Sequence, residues 1–256
     1  HGRRPEDTRR NIEKMKRFFR NRIFTTTGFR VRKIRAEMSR GQFKKMVQRA
    51  KAYIGAGDIY QANLSQRFCF DFSGSAVSLY GKLRAINPSP FSSFFKIRDL
   101  RIVSASPERL IRKRGRHCET RPIAGTCKAY GAERKFREWR KKLLLNPKER
   151  AEHLMLVDLE RNDLGRVCDY RSVKVKDFMT LEKYSHVVHL VSRITGRLMK
   201  EKDAFDLIKA MFPGGTITGC PKIRCREIIE ELEPVPRGIY TGSLGYIGFY
   251  GEMDLN

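Results

Sequence analysis

The chain has 256 residues, of which 40% are hydrophobic and 10% aromatic, enough to bury a sizeable core in one large domain or two smaller ones. Its 54 lysines and arginines outnumber 28 aspartates and glutamates, which gives a formal charge of +26. That charge is compatible with nucleic-acid binding. However, the basic residues are spread along amphipathic segments and do not form a known nucleic-acid-binding motif, so no specific nucleic-acid partner is expected.

The sequence contains no apolar run as long as a membrane span and no segment that resembles a signal peptide. The six cysteines include no Cys-x-x-Cys pair, which favours reduced thiols in a cytoplasmic protein. The chain begins with His1 and stops at Asn256 within a predicted strand, so we expect it to be part of a longer protein that is truncated at both ends.

The pattern of the first half predicts helices followed by strands and hairpins. The predicted elements are a basic helix over 8–22 with Met15, Phe18 and Phe19 inward, a capped amphipathic helix from Ser39 to Gly55, a strand over 62–70, a helix over 76–86, and hairpins over 91–105 and 110–120.

The second half predicts helices and strands in mixed order, without regular βαβ units, which favours an α+β fold. The predicted elements are a basic segment over 127–142 that is helical towards its end, a helix from Asn146, strands near 173–178 and 187–195, a helix capped by Asp203, a last helix opened by Pro221 with Ile223, Ile228, Ile229 and Leu232 on one side, and a glycine-rich strand after Gly238.

The helix that begins at Asn146 carries two acidic residues among apolar ones. Apolar side chains occupy almost every side of it, which predicts a buried helix. Glu149 and Glu152 lie one turn apart on neighbouring surface positions. Carboxylates that enter a core need a basic side chain or a divalent cation, and Mg²⁺ uses one or two protein carboxylates with substrate oxygens and water. The other interpretation is a capping box at Glu149 and an arginine partner for Glu152.

Four further features have both a structural and a chemical interpretation. Glu108 follows a predicted strand, where it is either a surface residue or a general acid with a raised pKa. The glycine-rich segment 214–222 is either a capped turn or an anion site at a helix N-terminus, and it lacks the Walker spacing. His189, between apolar residues, is either a core histidine or a catalyst. Tyr246, among glycines, either packs or contacts a substrate.

Together these segments resemble the chorismate-utilising enzymes, specifically component I of aminodeoxychorismate synthase and of anthranilate synthase. The resemblance rests on GDIYQANLSQRF (57–68), SPERL (106–110), ETRPIAGT (119–126), KERAEHLMLVDLERNDLGRVC (148–168), HVVHLVS (186–192), FPGGTITGCPKIRCREIIEELEP (212–234) and YTGSLGYIGFYGEMDLN (240–256). It implies a fold of mainly antiparallel β-sheets flanked by helices. The domains would be a basic N-terminal segment over 1–38 and a chorismate-binding catalytic domain over 39–256.

The resemblance also implies a reaction, the Mg²⁺-dependent amination of chorismate with ammonia that a glutamine amidotransferase partner, component II, releases from glutamine. It assigns catalysis to Glu108, His189 and Lys222, substrate binding to Thr126, Gly215, Thr216 and Tyr246, and metal binding to Glu149 and Glu152. Glu108 matches the acid that assists departure of the C4 hydroxyl. His189 matches the histidine associated with elimination of pyruvate.

Two positions separate the branches that this resemblance implies. At the position of Ala124, many aminodeoxychorismate synthases have a lysine that attacks ring C2. The anthranilate branch has alanine there, as this chain does, and alanine cannot act as a nucleophile. The surrounding motifs look more like the aminodeoxychorismate branch, which we predict, with anthranilate synthase as the alternative. Gln61 stands where water-using relatives carry a lysine, so those branches are disfavoured. A distant alternative is a basic nucleic-acid-binding protein on a decayed enzyme scaffold.

We expect residues 1–256 alone to be inactive or nearly so. Relatives carry a second pair of magnesium glutamates in a C-terminal segment that these residues lack, and the basic segment after Thr126 departs from the family pattern. A site without half of its metal ligands should bind Mg²⁺ and chorismate weakly. Assaying chorismate consumption by the isolated chain tests this, and turnover at full rate would contradict it.

Overall fold

A computed structural model describes residues 5–21, 27–128, 136–183 and 187–256 of the chain. Its helices are α1 (Pro5–Asn21), α2 (Arg40–Gly55), α3 (Ala76–Ile86), α4 (Phe136–Leu144), α5 (Pro147–Gly165), α6 (Ala204–Met211), α7 (Gly215–Thr218) and α8 (Lys222–Leu232). Its strands are β1 (Phe29–Ala36), β2 (Gln61–Ala62), β3 (Phe68–Gly74), β4 (Phe91–Ile97), β5 (Leu100–Ser106), β6 (Ile111–Arg114), β7 (His117–Thr120), β8 (Ile123–Lys128), β9 (Lys174–Lys183), β10 (Val187–Arg197), β11 (Gly219–Cys220), β12 (Gly245–Ile247) and β13 (Met253–Leu255).

A seven-stranded antiparallel sheet forms the centre of the fold. Its strands follow the order β12, β13, β6, β7 and β10, and β8 continues the line of β7 along the same edge of β10. Strand β9 pairs with the opposite edge of β10. With helices packed against this sheet, the predicted α+β class is confirmed.

The main core lies between this sheet and helices α5 and α6. Its fully buried members come from β6, β7, β10, α5 and α6 and include Ile111, Cys118, Leu164, Ile194 and Leu207. A second cluster joins α2 to α8. None of the helices in the described ranges has the length and apolar character needed to cross a membrane.

The predicted helix starts are found where the capping residues stand. Ser39 and Gln42 form a reciprocal capping box at the start of α2, with Gln42 N donating to Ser39 Oγ over 3.2 Å. Asn146 caps α5 by accepting from the backbone N–H groups of Lys148 and Glu149. These side-chain bonds satisfy N–H groups that have no partner inside a helix, so the local sequence fixes the starts.

The predicted strand over 62–70 is wrong, because β2 and β3 are separate and belong to different sheets. The backbone between them bonds to other partners: Asn63 N donates to Thr218 O over 2.9 Å, and Ser65 N donates to the Glu233 carboxylate over 2.7 Å. The alternation of polar and apolar residues continues through this segment, so the pattern cannot reveal the break.

Helix α5 is buried on one side only, which corrects the expectation of a helix buried almost all round. Leu164 is fully buried, whereas Leu154 is 48% exposed. The buried side also carries a polar residue, His153, whose Nε2 forms a hydrogen bond with Ser192 Oγ over 2.6 Å. The placement of Ile223 in the core side of α8 is also wrong, since this residue in the first turn is 74% exposed.

Two expectations fall partly on undescribed residues. The side chains of Met15, Phe18 and Phe19 lie outside the described part of the chain, although α1 covers the predicted basic helix. The predicted basic segment over 127–142 is described only in part, because residues 129–135 lie outside the described ranges. Its predicted helical end corresponds to α4.

A pair of leucine substitutions on α5 tests which face is buried. We expect Leu164→Ala to lower the free energy of unfolding by about 3 kcal/mol, because it leaves a cavity in the main core. Leu154→Ala on the exposed face should cost less than about 1 kcal/mol. Urea unfolding of both variants measures this, and equal losses would contradict the assigned faces.

Candidate active site

The carboxyl group of Glu108 lies between two elements that are distant in sequence. Its Oε1 accepts a hydrogen bond from Ile123 N, and its Oε2 accepts one from Thr216 Oγ1, both over 2.7 Å. The residue keeps some exposure, but its carboxyl group points inward. This burial raises the pKa of Glu108 to about 7, although the two hydrogen bonds act in the opposite direction. A carboxyl with that pKa can carry a proton at neutral pH, as a general acid must.

Glu160 is a second buried acid, which sequence reasoning missed. It accepts a hydrogen bond from Thr120 Oγ1 over 2.6 Å and is 5% exposed. Burial raises its pKa well above the usual range, and the neighbouring charge of Glu108 raises it further. The available signal was helical spacing, because Glu160 shares the inward face of α5 with Val157 and Leu164.

Lys222 forms an ion pair with Asp163, and it also donates to Met211 O over 3.0 Å. The side chains of Lys222 and Asp163 are 12% and 5% exposed. Burial raises the pKa of Asp163, and the lysine opposes that effect. The ammonium group therefore neutralises a buried carboxylate on α5, a partner that the sequence did not identify.

Thr126 and His189 lie directly opposite each other on β8 and β10. Thr126 Oγ1 is 2.9 Å from His189 Nδ1. His189 is 8% exposed, and burial lowers its pKa, opposed by a hydrogen bond to the Gly125 carbonyl and by the charge of Glu182. The ring is accordingly neutral at neutral pH.

Glu149 lies beside the backbone of Gly125. A Cβ atom at Gly125 would stand 3.0 Å from Glu149 Oε2, and the residue has a positive φ of 70°. A larger residue there would be strained and would displace the carboxylate. Thr126 and Glu149 line one cavity of about 650 Å³, so the structure brings these two predicted residues together.

Glu152 lines a larger cleft of about 1070 Å³, together with Lys222 and Asp163. Its Oε1 accepts a hydrogen bond from Gln61 Nε2 over 3.1 Å. Both Glu149 and Glu152 are half-buried, which corrects the expectation that they enter a closed core. Glu149 lies against β8 of the sheet, whereas Glu152 contacts Gln61 of β2.

The donor set of Glu149 and Glu152 fits a shared cation better than an enclosed one. In the described ranges no group of three or more histidine, cysteine, aspartate or glutamate side chains is placed to hold a metal ion. Two carboxylates beside cavities match Mg²⁺, which takes few protein ligands and completes its shell with substrate oxygens and water. A structural zinc site would need four protein ligands.

The glycine-rich segment contains regular structure before the helix that it precedes. It forms the short helix α7 and then β11, which pairs with β2. A Cβ atom at Gly215 would overlap the side chain of Leu159, so this glycine allows α7 to contact α5. Thr216, the next residue, is thereby placed to reach Glu108.

Tyr246 is not brought together with the other predicted residues. It is 61% exposed and lines a separate cavity of about 530 Å³ with Arg112, Arg114 and Glu252. Strands β13 and β6 lie between its strand and the line of β7 and β8.

Comparison with known proteins identifies similar chains. The family profile described as chorismate binding enzyme matches residues 3–256. The chain is 50% identical over 214 residues to aminodeoxychorismate synthase component 1 of Bacillus subtilis (strain 168), covering 84% of this chain and 46% of the relative. It is 48% identical over 221 residues to anthranilate synthase component 1 of Aquifex aeolicus (strain VF5), covering 86% and 45%.

Among solved structures, anthranilate synthase component I from Streptococcus pneumoniae TIGR4 matches with a TM-score of 0.84 and 35% identity. This match covers 99% of the present chain and 57% of the other. The chain thus spans about half the length of the curated relatives that it matches.

Glu108 should make stability depend on pH. Its folded pKa of about 7 lies above the ordinary 4.5, so the folded state binds the extra proton and stability falls as pH rises between these values. We expect Glu108→Gln to remove this loss and to gain on the order of 3 kcal/mol relative to the unsubstituted chain at pH 8, but little at pH 4. Urea unfolding at both pH values checks this, and a gain independent of pH would contradict it.

Proposed function

The chain belongs to the family of chorismate binding enzymes, and from that premise we propose that the protein is component I of an aminodeoxychorismate synthase. In the proposed reaction, ammonia replaces the C4 hydroxyl of chorismate and gives 4-amino-4-deoxychorismate. The observation that carries the proposal is the Glu108 carboxyl group, held by Ile123 N and Thr216 Oγ1 with its pKa raised to about 7.

Glu108 acts as the general acid. Hydroxide is a poor leaving group, so the C4 hydroxyl departs as water when Glu108 donates its proton. The carboxylate that remains is stabilised by the N–H of Ile123 and the hydroxyl of Thr216, because both donors already point at it. Neither donor has to reorient during the step.

The side chain at position 124 cannot attack the ring. Ala124 is 6% exposed and carries no nucleophile, so attack is left to ammonia itself. The relatives are named component 1, which supports a second component in the intact assembly. We assign that component the release of ammonia from glutamine.

Of the remaining predicted residues, Thr126, His189, Glu149, Glu152 and Lys222 are assigned to the substrate, whereas Tyr246 lies in a separate cavity. Thr126 and the neutral ring of His189 form a polar pair beside the cavity that Glu149 lines. Glu149 and Glu152 would hold Mg²⁺, which neutralises the ring carboxylate of chorismate when it is bound. Lys222 compensates the charge of Asp163 in the cleft, which reduces the repulsion that an anionic substrate would meet there.

The test is to incubate the intact protein with chorismate, Mg²⁺ and ammonium and to identify the product by mass. We expect 4-amino-4-deoxychorismate, and no turnover when Mg²⁺ is chelated. Glu108→Gln should lower kcat by about 100-fold or more, because it removes the proton donor. Glu201→Gln, at an exposed position after β10, is the matched control and should retain the rate.

Two results would contradict the proposal at different levels. Anthranilate and pyruvate as products would replace the proposed branch by that of anthranilate synthase. Chorismate left unconsumed under all these conditions would refute the activity itself.

A further inference from the structure

Three side chains form a row across strands β8, β10 and β9. His189 is the direct partner of Thr126 on one side and of Glu182 on the other. Partners directly opposite each other in antiparallel strands share a face of the sheet, with Cβ atoms about 5 Å apart. The imidazole ring of His189 therefore lies between a hydroxyl and a carboxylate.

Glu182 has a second charged neighbour, Arg121. The Arg121 guanidinium forms an ion pair with the Glu182 carboxylate, and their side chains are 32% and 29% exposed. Arg121 stands between β7 and β8, at one edge of β10, whereas Glu182 stands on β9 at the other edge. The arginine side chain must therefore reach across the strand that carries His189.

We propose that Glu182 is a positioning residue for His189: it supports the ring from the side opposite Thr126, and Arg121 limits how much negative charge the ring experiences. This rests on the proposed function only in the placement of His189 beside the substrate. Nothing in the reaction as derived above requires Glu182 or Arg121 to touch the substrate.

The charge balance follows from what faces the ring. Burial disfavours the imidazolium, while the Glu182 carboxylate favours it. Among the described residues, Lys183 and Cys127 are both opposite Val188, on the alternate face, and Glu149 approaches β8 at Gly125, beside Thr126. Arg193 is engaged with Asp177 further along β9.

Glu182 and Arg121 should therefore act on His189 with opposite signs. Without the carboxylate the imidazolium loses its counter-charge. Without the guanidinium, the same carboxylate acts on the ring at full strength. A residue that merely supported the sheet would not produce this reversal.

The experiment is an NMR titration of the His189 ring in the intact protein, with the signal assigned by its loss in His189→Gln. We expect Glu182→Gln to lower the pKa of His189 by about half a pH unit or more, and Arg121→Gln to raise it by a similar amount. Glu182→Asp keeps the charge and should stay close to the unsubstituted protein. Asp177→Asn, further along β9, is the control and should leave the pKa unchanged.

Shifts in the same direction for Glu182→Gln and Arg121→Gln, or no shift in either, would overturn the proposal. If Glu182→Gln does not fold, Glu182→Asp and Arg121→Gln still decide it, since the latter must raise the pKa alone. Turnover of chorismate is measured separately. Opposite shifts of the His189 pKa without turnover would refute the proposed function and leave the role of Glu182 in place. Turnover without opposite shifts would support the proposed function and refute the role of Glu182.

Discussion

The hydrogen bonds to the Glu108 carboxyl group join three parts of the fold that are far apart in sequence. Glu108 follows β5, Ile123 begins β8 and Thr216 belongs to α7. An inward carboxyl is costly unless its oxygens have partners, so the two donors determine whether this arrangement is stable at all. They also leave the group with a pKa near neutrality, which makes it chemically useful. Packing and proton chemistry therefore depend on the same two contacts.

Helix α5 distributes charge around this group. Towards its C-terminal end it carries Glu160 and Asp163, which are matched by the hydroxyl of Thr120 and the ammonium of Lys222. Towards its N-terminal end it carries Glu149 and Glu152, each of which is half-buried and lines a cavity. Eleven residues make about three helical turns, so all four acids share one side of α5. The two pairs therefore differ in their position along the helix and not in the face that they occupy.

The sequence could predict the structural features that depend on residues close together in the chain. The caps at Ser39 and Asn146 and the hairpins of β4–β5 and β6–β7 are confirmed because their signals lie within a few residues. Contacts between distant segments were beyond its reach. The ion pair of Lys222 with Asp163, the break between β2 and β3, and the separation of Tyr246 from the other residues all depend on tertiary partners. The motifs supplied what periodicity could not, namely the family, which the match over residues 3–256 confirms.

The contact between Gly215 and Leu159 constrains both positions at once. Any side chain at 215 would collide with Leu159, and relief by moving α7 would pull Thr216 away from Glu108. Substitution at one position is therefore tolerable only with a compensating reduction in size at the other. Across homologous chains this predicts covariation of residue volume between positions 215 and 159, which would preserve the contact of Thr216 with Glu108.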